Sequence, residues 1–376
     1  MKSLIPLLAA ISHNLTTLNI RDMSDDLIDF SIDLGMGVFL KHCSKNALQA
    51  SKPATTQLLI SVELTAKLIT NNLLNAVKEI LILSEQCTDD VILLKGISNC
   101  QRYYPEPWFR IMSDIDLLVS EKDAQAFETI LLKLGYQQTS KNSHDFYEFH
   151  HHSMPFYNKK NNVWIEVHTH LFSKTTHAKH DKLFSIEQIN KNTAQPFNSV
   201  YYKNVKQLST ELHLIYSCVH WADDFSTHKS CMQLTDIILM LKNNDIPLDW
   251  HKINNWLYDT NSASCVFLAL SYLHKSKIIE IPPLYFNNVK LKHYNMGFIN
   301  VFILHNIIDN YFMQGKNYGR FLTENNIIII WETLLQAKTS WINILQIPLN
   351  ILFPPDNINR FKLSLMTKRF FNVFKR

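Results

Sequence analysis

Between Glu63 and Glu85, apolar side chains recur at helical spacing (Leu68, Ile69, Leu73, Leu74, Val77, Ile80, Leu81), which predicts a long amphipathic helix. It closes an N-terminal helical region over residues 1–86. The pattern then changes. Val91-Ile92-Leu93-Leu94 is a continuous apolar run between Asp89-Asp90 and Lys95-Gly96, as expected of a short buried strand. A short helix is expected from Ile97 to Tyr103, and Pro105 and Pro107 then impose a loop that carries Trp108, Phe109 and Arg110. Ser113–Val119 alternates: on a strand, Asp114, Asp116 and Leu118 face one way and Ile115, Leu117 and Val119 the other. Residues 121–134 return to helical spacing (Ala124, Phe127, Ile130, Leu131, Leu134), with Gly135 as the stop. Two more strands are expected around 146–156 and 162–170, joined by the polar turn Asn158–Asn162. From about residue 205 the pattern is mostly helical, in segments near 208–221, 232–242, 250–258, 263–275, 297–311 and 327–345. Pro247, Pro282-Pro283, Pro348 and Pro354-Pro355 punctuate them.

The Asp114 strand carries the chemistry. Two carboxylates at i and i+2 cannot both hide in an apolar core, because burying unpaired charge costs several kcal/mol or more. A divalent cation resolves this, and hard oxygen ligands at that spacing suit Mg²⁺ or Mn²⁺. A third acid is available in Trp164-Ile165-Glu166-Val167-His168-Thr169-His170. There Glu166, His168 and His170 share one face of a strand, opposite Ile165, Val167 and Leu171. Paired with the Asp114 strand, Glu166 meets Asp114 and Asp116, and three acids can bridge two metals about 3.5–4 Å apart.

Composition narrows the classes. A chain of 376 residues has room for two or three cores, and only 7 glycines and 12 prolines exclude collagen, disorder and loop-rich β architectures. The six cysteines form no CxxC pair, so neither a zinc ribbon nor a thioredoxin motif is present. Their scatter suits a reducing compartment, and a cytoplasmic protein is expected. Leu4–Ile11 is too short for a signal-peptide core and is expected to be a first helix; Glu332 and Lys338 interrupt the one long apolar region, so no transmembrane helix is expected. Net charge is +4, with basic residues gathered at 357–376 (Arg360, Lys362, Lys368, Arg369, Lys375, Arg376) among Phe361, Phe370, Phe371 and Phe374. That tail reads as a last helix packing its aromatic face, or as a weak contact for membrane or nucleic acid.

In order, Leu93-Leu94-Lys95-Gly96, Arg110-x-x-Ser113-Asp114-x-Asp116-Leu117-Leu118-Val119, Leu134-Gly135-Tyr136 and Ile165-Glu166-Val167-His168 resemble the uncharacterised bacterial nucleotidyltransferase family of the DNA polymerase β-like superfamily. The resemblance implies an α+β fold. A polymerase β-like nucleotidyltransferase core, a small mixed sheet with helices over residues 87–175, is flanked by helical regions at 1–86 and 176–376. It implies a Mg²⁺- or Mn²⁺-dependent enzyme moving a nucleoside monophosphate from an NTP to a hydroxyl or phosphate acceptor, with release of pyrophosphate. Asp114, Asp116 and Glu166 become the catalytic metal ligands. Lys95, Gly96 and Ser98 become the triphosphate loop, with Ser113 and Arg110 as further nucleotide contacts. Typical members carry Gly-Ser or Gly-Gly closer to the aspartates, whereas here Gly96 is followed by Ile97.

Other features stay open. Arg110 suits a phosphate contact and a structural ion pair equally. His168 supports Glu166 or touches the site. His220 and Asp236 belong to the cleft or to a buried pair between helices. His150-His151-His152 reads as an exposed turn or as metal ligands, and Trp108 as packing or as a base-stacking platform. A silent nucleotide-binding module and a toxin-like enzyme modifying tRNA or protein remain alternatives. The acceptor substrate is a small molecule, a protein or an RNA.

Overall fold

The computed structural model describes residues 3–16, 18–44, 52–88, 90–139, 147, 150–173, 176, 178, 181–190, 194–196, 204–224, 230–243, 247–258, 260–286, 298–314 and 324–336. The basic tail at 357–376 lies outside the described residues. The architecture is α+β, built on one mixed sheet of seven strands. These are β1 (Val91–Leu93), β2 (Asp114–Leu118), β3 (Gln137–Gln138), β4 (Phe156–Asn158), β5 (Val163–His168), β6 (Ala194–Pro196) and β7 (Val205–Leu208), in spatial order β3-β4-β5-β2-β1-β7-β6. β2 runs parallel to β5 and antiparallel to β1, and β1 runs parallel to β7. β6 and β7 follow residue 175, so the sheet draws on chain beyond the span expected to form the core.

Side-chain alternation sorts the two faces of the sheet. Val91, Leu93, Ile115, Leu117, Val119, Ile165 and Val167 pack on one side, Ile92, Leu94 and Leu118 on the other. The first face is covered by the C-terminal half of a helix of 32 residues, Pro53–Ser84, through Leu73, Ala76, Val77, Ile80 and Leu81. Phe127 and Leu131 of the helix Glu121–Lys133 complete that core. The long helix starts ten residues before the expected Glu63, with Pro53 at its first turn, where a missing N–H costs nothing. Its N-terminal half turns Leu59 and Ala66 into the second, larger core. The helix Glu121–Lys133 ends as expected: Gly135 adopts φ +82, and the Gly135 and Tyr136 N–H groups donate to Leu132 and Leu131 O in a Schellman closure.

The second face meets the remaining helices. We label the two that matter for the site α1 (Thr210–Asp223) and α2 (Ser230–Lys242). They pack on each other, and α1 packs on the helix Ser262–Lys275, which together with Gly37–Cys43 near the N-terminus completes the larger core. Two expectations are narrowed. Of the strand expected over 146–156, positions 146, 148 and 149 lie outside the described residues; the described part holds the start of β4, Phe156–Asn158, and before it the histidine segment bends and contributes a single bridge, His152 to His168. The helix expected over 297–311 runs Phe298–Ile307 and ends in a π turn at Ile308–Phe312. Among the described residues no helix is long and apolar enough to cross a membrane. All six cysteines are free, and all but Cys87 are buried.

Candidate active site

Register decides the site. β2 and β5 pair in parallel with Asp116 opposite Glu166, Asp114 opposite Trp164 and Leu118 opposite His168. Opposed residues share a face, so Asp116 and Glu166 stand side by side on the face that meets α1. His168 comes two residues after Glu166 on the same face, fully buried. Potential ligand atoms of Asp116, Glu166 and His168 all lie within 4.8 Å of one another. Asp114, half-buried, lines the adjoining cleft with Asp116 and stands outside that group of three.

Charge around Asp116 is concentrated. Lys95 Nζ lies 2.7 Å and His168 Nε2 2.8 Å from Asp116 Oδ1. His168 Nε2 is also 3.6 Å from Glu166 Oε2. Burial by itself raises the Asp116 carboxyl, but the Lys95 ammonium and the His168 ring together bring it well below the usual carboxylate range. Burial likewise opposes ionisation of Glu166, as does the Asp116 charge, but the His168 hydrogen bond, Lys95 and His152 together bring it below its usual value. His168 is the mirror case: burial lowers it, and its two carboxylate partners lift it above the usual imidazole value. The three neighbouring histidines go the other way. Burial pushes His150 down to about 4 and also lowers His151 and His152, so they are neutral rings near pH 7. They form no exposed turn. They are half-buried, and the His151 and His152 rings lie 4.7 Å and 5.3 Å from that of His168.

The Lys95-Gly96 corner is built tightly. Lys95 opens the helix Lys95–Arg102 with a left-handed backbone (φ +47), costly for a side chain with a Cβ. The Leu94 N–H just before it donates to Asp116 O at 3.1 Å and ties the corner to β2. A Cβ on Gly96 would sit 2.7 Å from Met112 Cγ, so only glycine lets the corner approach the Arg110–Ser113 loop. Ser98 turns inward: it is buried, its hydroxyl has no partner, and it does not line the cleft.

A cleft of about 220 Å³ opens in front of Asp114 and Asp116. Lys95, Gly96, Arg110 and Ser113 line it, as do His220 and Asp236 from α1 and α2. Arg110 is committed to Asp236. Its Nε lies 2.9 Å from Oδ1 and its Nη2 2.9 Å from Oδ2, while Nη1 donates to Ile111 O. The Tyr104 hydroxyl donates to the same carboxylate at 2.6 Å. This buried fork pins the loop before β2 to α2. Trp108 packs against the larger core with the Lys67 ammonium 4.8 Å above its ring.

The sequence reading missed several wall residues: Asn99, Tyr216, Asp224, Gln233 and the segment Asp33–Gly35. A signal for some existed. Tyr216, His220 and Asp224 are spaced i, i+4, i+8 and Gln233 and Asp236 i, i+3, so each set forms a polar stripe on an otherwise apolar helix.

A family model described as uncharacterised nucleotidyltransferase matches residues 36–276, more than half of the chain. No curated protein and no solved structure matches it.

Proposed function

The chain belongs to the uncharacterised nucleotidyltransferase family, and we propose that it is a Mg²⁺- or Mn²⁺-dependent enzyme with a polymerase β-like core. It moves a nucleoside monophosphate from an NTP to an acceptor substrate and releases pyrophosphate. The observation that carries this is the parallel register setting Glu166 beside Asp116 at the rim of a cleft that also holds Asp114 and Lys95.

The donor set fits a divalent ion: two carboxylates and an imidazole within 4.8 Å, with the Asp114 carboxylate nearby. Held by Asp114, Asp116 and Glu166, such ions supply positive charge against the triphosphate and ease ionisation of the attacking hydroxyl. The protein's own groups do the rest. Lys95, now 2.7 Å from Asp116, is the cation that moves onto a phosphate oxygen when the triphosphate arrives. Gly96 lets backbone come close to that triphosphate, and Ser113 lies on the same wall. His168 orients Asp116 and Glu166. Arg110 is a positioning residue, holding the loop to Asp236.

The test is calorimetry with ATP, GTP, CTP and UTP plus Mg²⁺, alongside an assay for pyrophosphate release in cell extract. Binding with release supports the reading. Binding without release in any extract fraction makes the chain a silent module, and no binding ends the nucleotide reading.

A further inference from the structure

Taking the nucleotidyl-transfer reading as given, we infer that His220 takes the proton from the attacking hydroxyl, with Asp224 as the positioning residue that holds its ring. Two features of the cleft support this: the way the ring is paired, and the use already made of the buried acids.

The pairing leaves one ring nitrogen available. His220 stands on α1 one turn beyond Tyr216, whose ring is 5.9 Å away, and lines the same cleft as Asp114, Asp116 and Lys95. Its Nδ1 lies 3.1 Å from Asp224 Oδ2. Gln233 Nε2 of α2, 3.1 Å from both of these atoms, donates to the carboxylate. Asp224 only accepts, and a charged acceptor makes the stronger hydrogen bond, so the ring proton sits on Nδ1 and Nε2 carries the lone pair. The His220 side chain keeps 16% exposure, and its Nε2 has no hydrogen-bond partner among the described residues. One nitrogen is thus fixed by a carboxylate, which leaves the other to meet a substrate proton.

The buried acids of the wall, Asp116 and Asp236, already have their protons' places filled. Lys95 and His168 hold Asp116, and Arg110 and Tyr104 hold Asp236. Asp114, Asp116 and Glu166 are also the carboxylates assigned to the ions, and a lone pair given to an ion is not open to a proton. His220 carries neither duty. The charged groups facing it are Asp224 on its own helix, Lys95 at the corner after β1 and Asp116 on β2, while α2 presents the neutral Gln233. Asp33, Asp114 and the Arg110–Asp236 pair complete the charged wall. Burial lowers the imidazole below its usual value, Lys95 acts the same way, and the two carboxylates do not reverse the shift. The ring is therefore neutral near pH 7, the form that can accept a proton.

In the transfer the hydroxyl oxygen bonds to the α-phosphorus as the Pα–O bond to the β-phosphate breaks. Pyrophosphate leaves with the bonding pair. The hydroxyl proton passes to His220 Nε2, the resulting imidazolium is paired with the Asp224 carboxylate, and the proton then goes to water.

The test uses the full-length protein with Mg²⁺, ATP, GTP, CTP or UTP labelled at the α-phosphate, and extract of the source cells. Wild type, His220→Gln, His220→Ala and Asp224→Asn are compared across the acid and neutral pH range, with Kd for each NTP read by calorimetry. Wild-type transfer should fall with pH in a limb below about pH 6.5, as the imidazole gains its proton. His220→Gln should lower the rate at neutral pH by about a hundredfold or more, abolish that limb and keep Kd within about threefold. Added imidazole should restore part of the His220→Ala rate, which a purely structural histidine does not allow. Asp224→Asn should cost less and move the limb to lower pH, because the carboxylate raises His220. A His220→Gln protein that transfers label within about threefold of wild type, or whose whole loss lies in Kd, overturns the assignment while leaving transfer intact. A limb that Asp224→Asn leaves unmoved overturns it as well, whether or not the His220 variants fold. Wild-type protein that neither binds NTP nor labels any fraction overturns the transfer reading itself, and this assignment with it.

Discussion

Replacing Asp236 tests the division of labour at Arg110. Both side chains are almost fully buried, at 7% and 3% exposure, and three N–O distances of 2.9–3.1 Å join them. Asp236→Ala leaves a guanidinium in the interior with the Ile111 carbonyl as its one remaining partner among the described residues. Breaking one side of a buried pair costs about 3–5 kcal/mol, and the orphaned Tyr104 hydroxyl adds ~1 kcal/mol. Arg110→Met strands the carboxylate and should cost a similar amount. Removing both charges in Arg110→Met/Asp236→Leu takes away the unpaired group as well as the pair, so the double variant should lie within about 1–2 kcal/mol of wild type. A coupling energy of several kcal/mol should therefore appear in the double-mutant cycle, read by urea unfolding of the full chain at pH 7. The same double variant should bind MgATP within about tenfold of wild type, since Arg110 is already forked onto Asp236. The reasoning is refuted if either single change costs less than about 1 kcal/mol. A folded double variant that has lost nucleotide affinity would make Arg110 a phosphate ligand.

Three further outcomes are expected. Asp116→Asn should keep the fold, judged by circular dichroism, and lower pyrophosphate release by about a hundredfold or more, because it removes charge from the centre of the donor set. Gly96→Ala drives a Cβ to 2.7 Å from Met112 Cγ and should destabilise the protein by ~1–3 kcal/mol while raising KM for NTP, measured by thermal melting and initial rates. Glu63 is buried, which raises its carboxyl, but Lys41, Lys67 and His42 surround it and bring it down to about 2. A carboxyl lower in the folded state than its unfolded value of about 4.3 contributes stability that is complete above that value and lost as pH falls toward about 2. Glu63→Gln should flatten the fall in melting temperature between pH 5 and pH 3; an unchanged slope would count against the ion cluster.

Much of the fold was legible because alternation and helical spacing are local. The Asp114 strand, the helix after it and its glycine stop all follow from residues that decide their own conformation. The same locality explains the misses. β6 and β7 are short pieces at one end of the sheet, Ala194–Pro196 and Val205–Leu208, and a four-residue strand does not announce a parallel partner a hundred positions away. The length of the Pro53–Ser84 helix was underestimated because Leu58 and Ile60, in its first turns, stay exposed and blur its periodicity.

By itself the sequence determined which carboxylates share a strand face, that Glu166 and His168 share another, and that Lys95-Gly96 precedes them at a strand end. Only the tertiary structure decided which of these groups meet. The register of β2 against β5 put Glu166 and His168 with Asp116 and left Asp114 on the cleft wall. Helix packing spent Arg110 on Asp236 and brought Tyr216 and Gln233 into the wall. Side-chain direction along a strand is set by each residue's neighbours in sequence, whereas the distance between charges far apart in the chain depends on how whole elements bury their apolar faces.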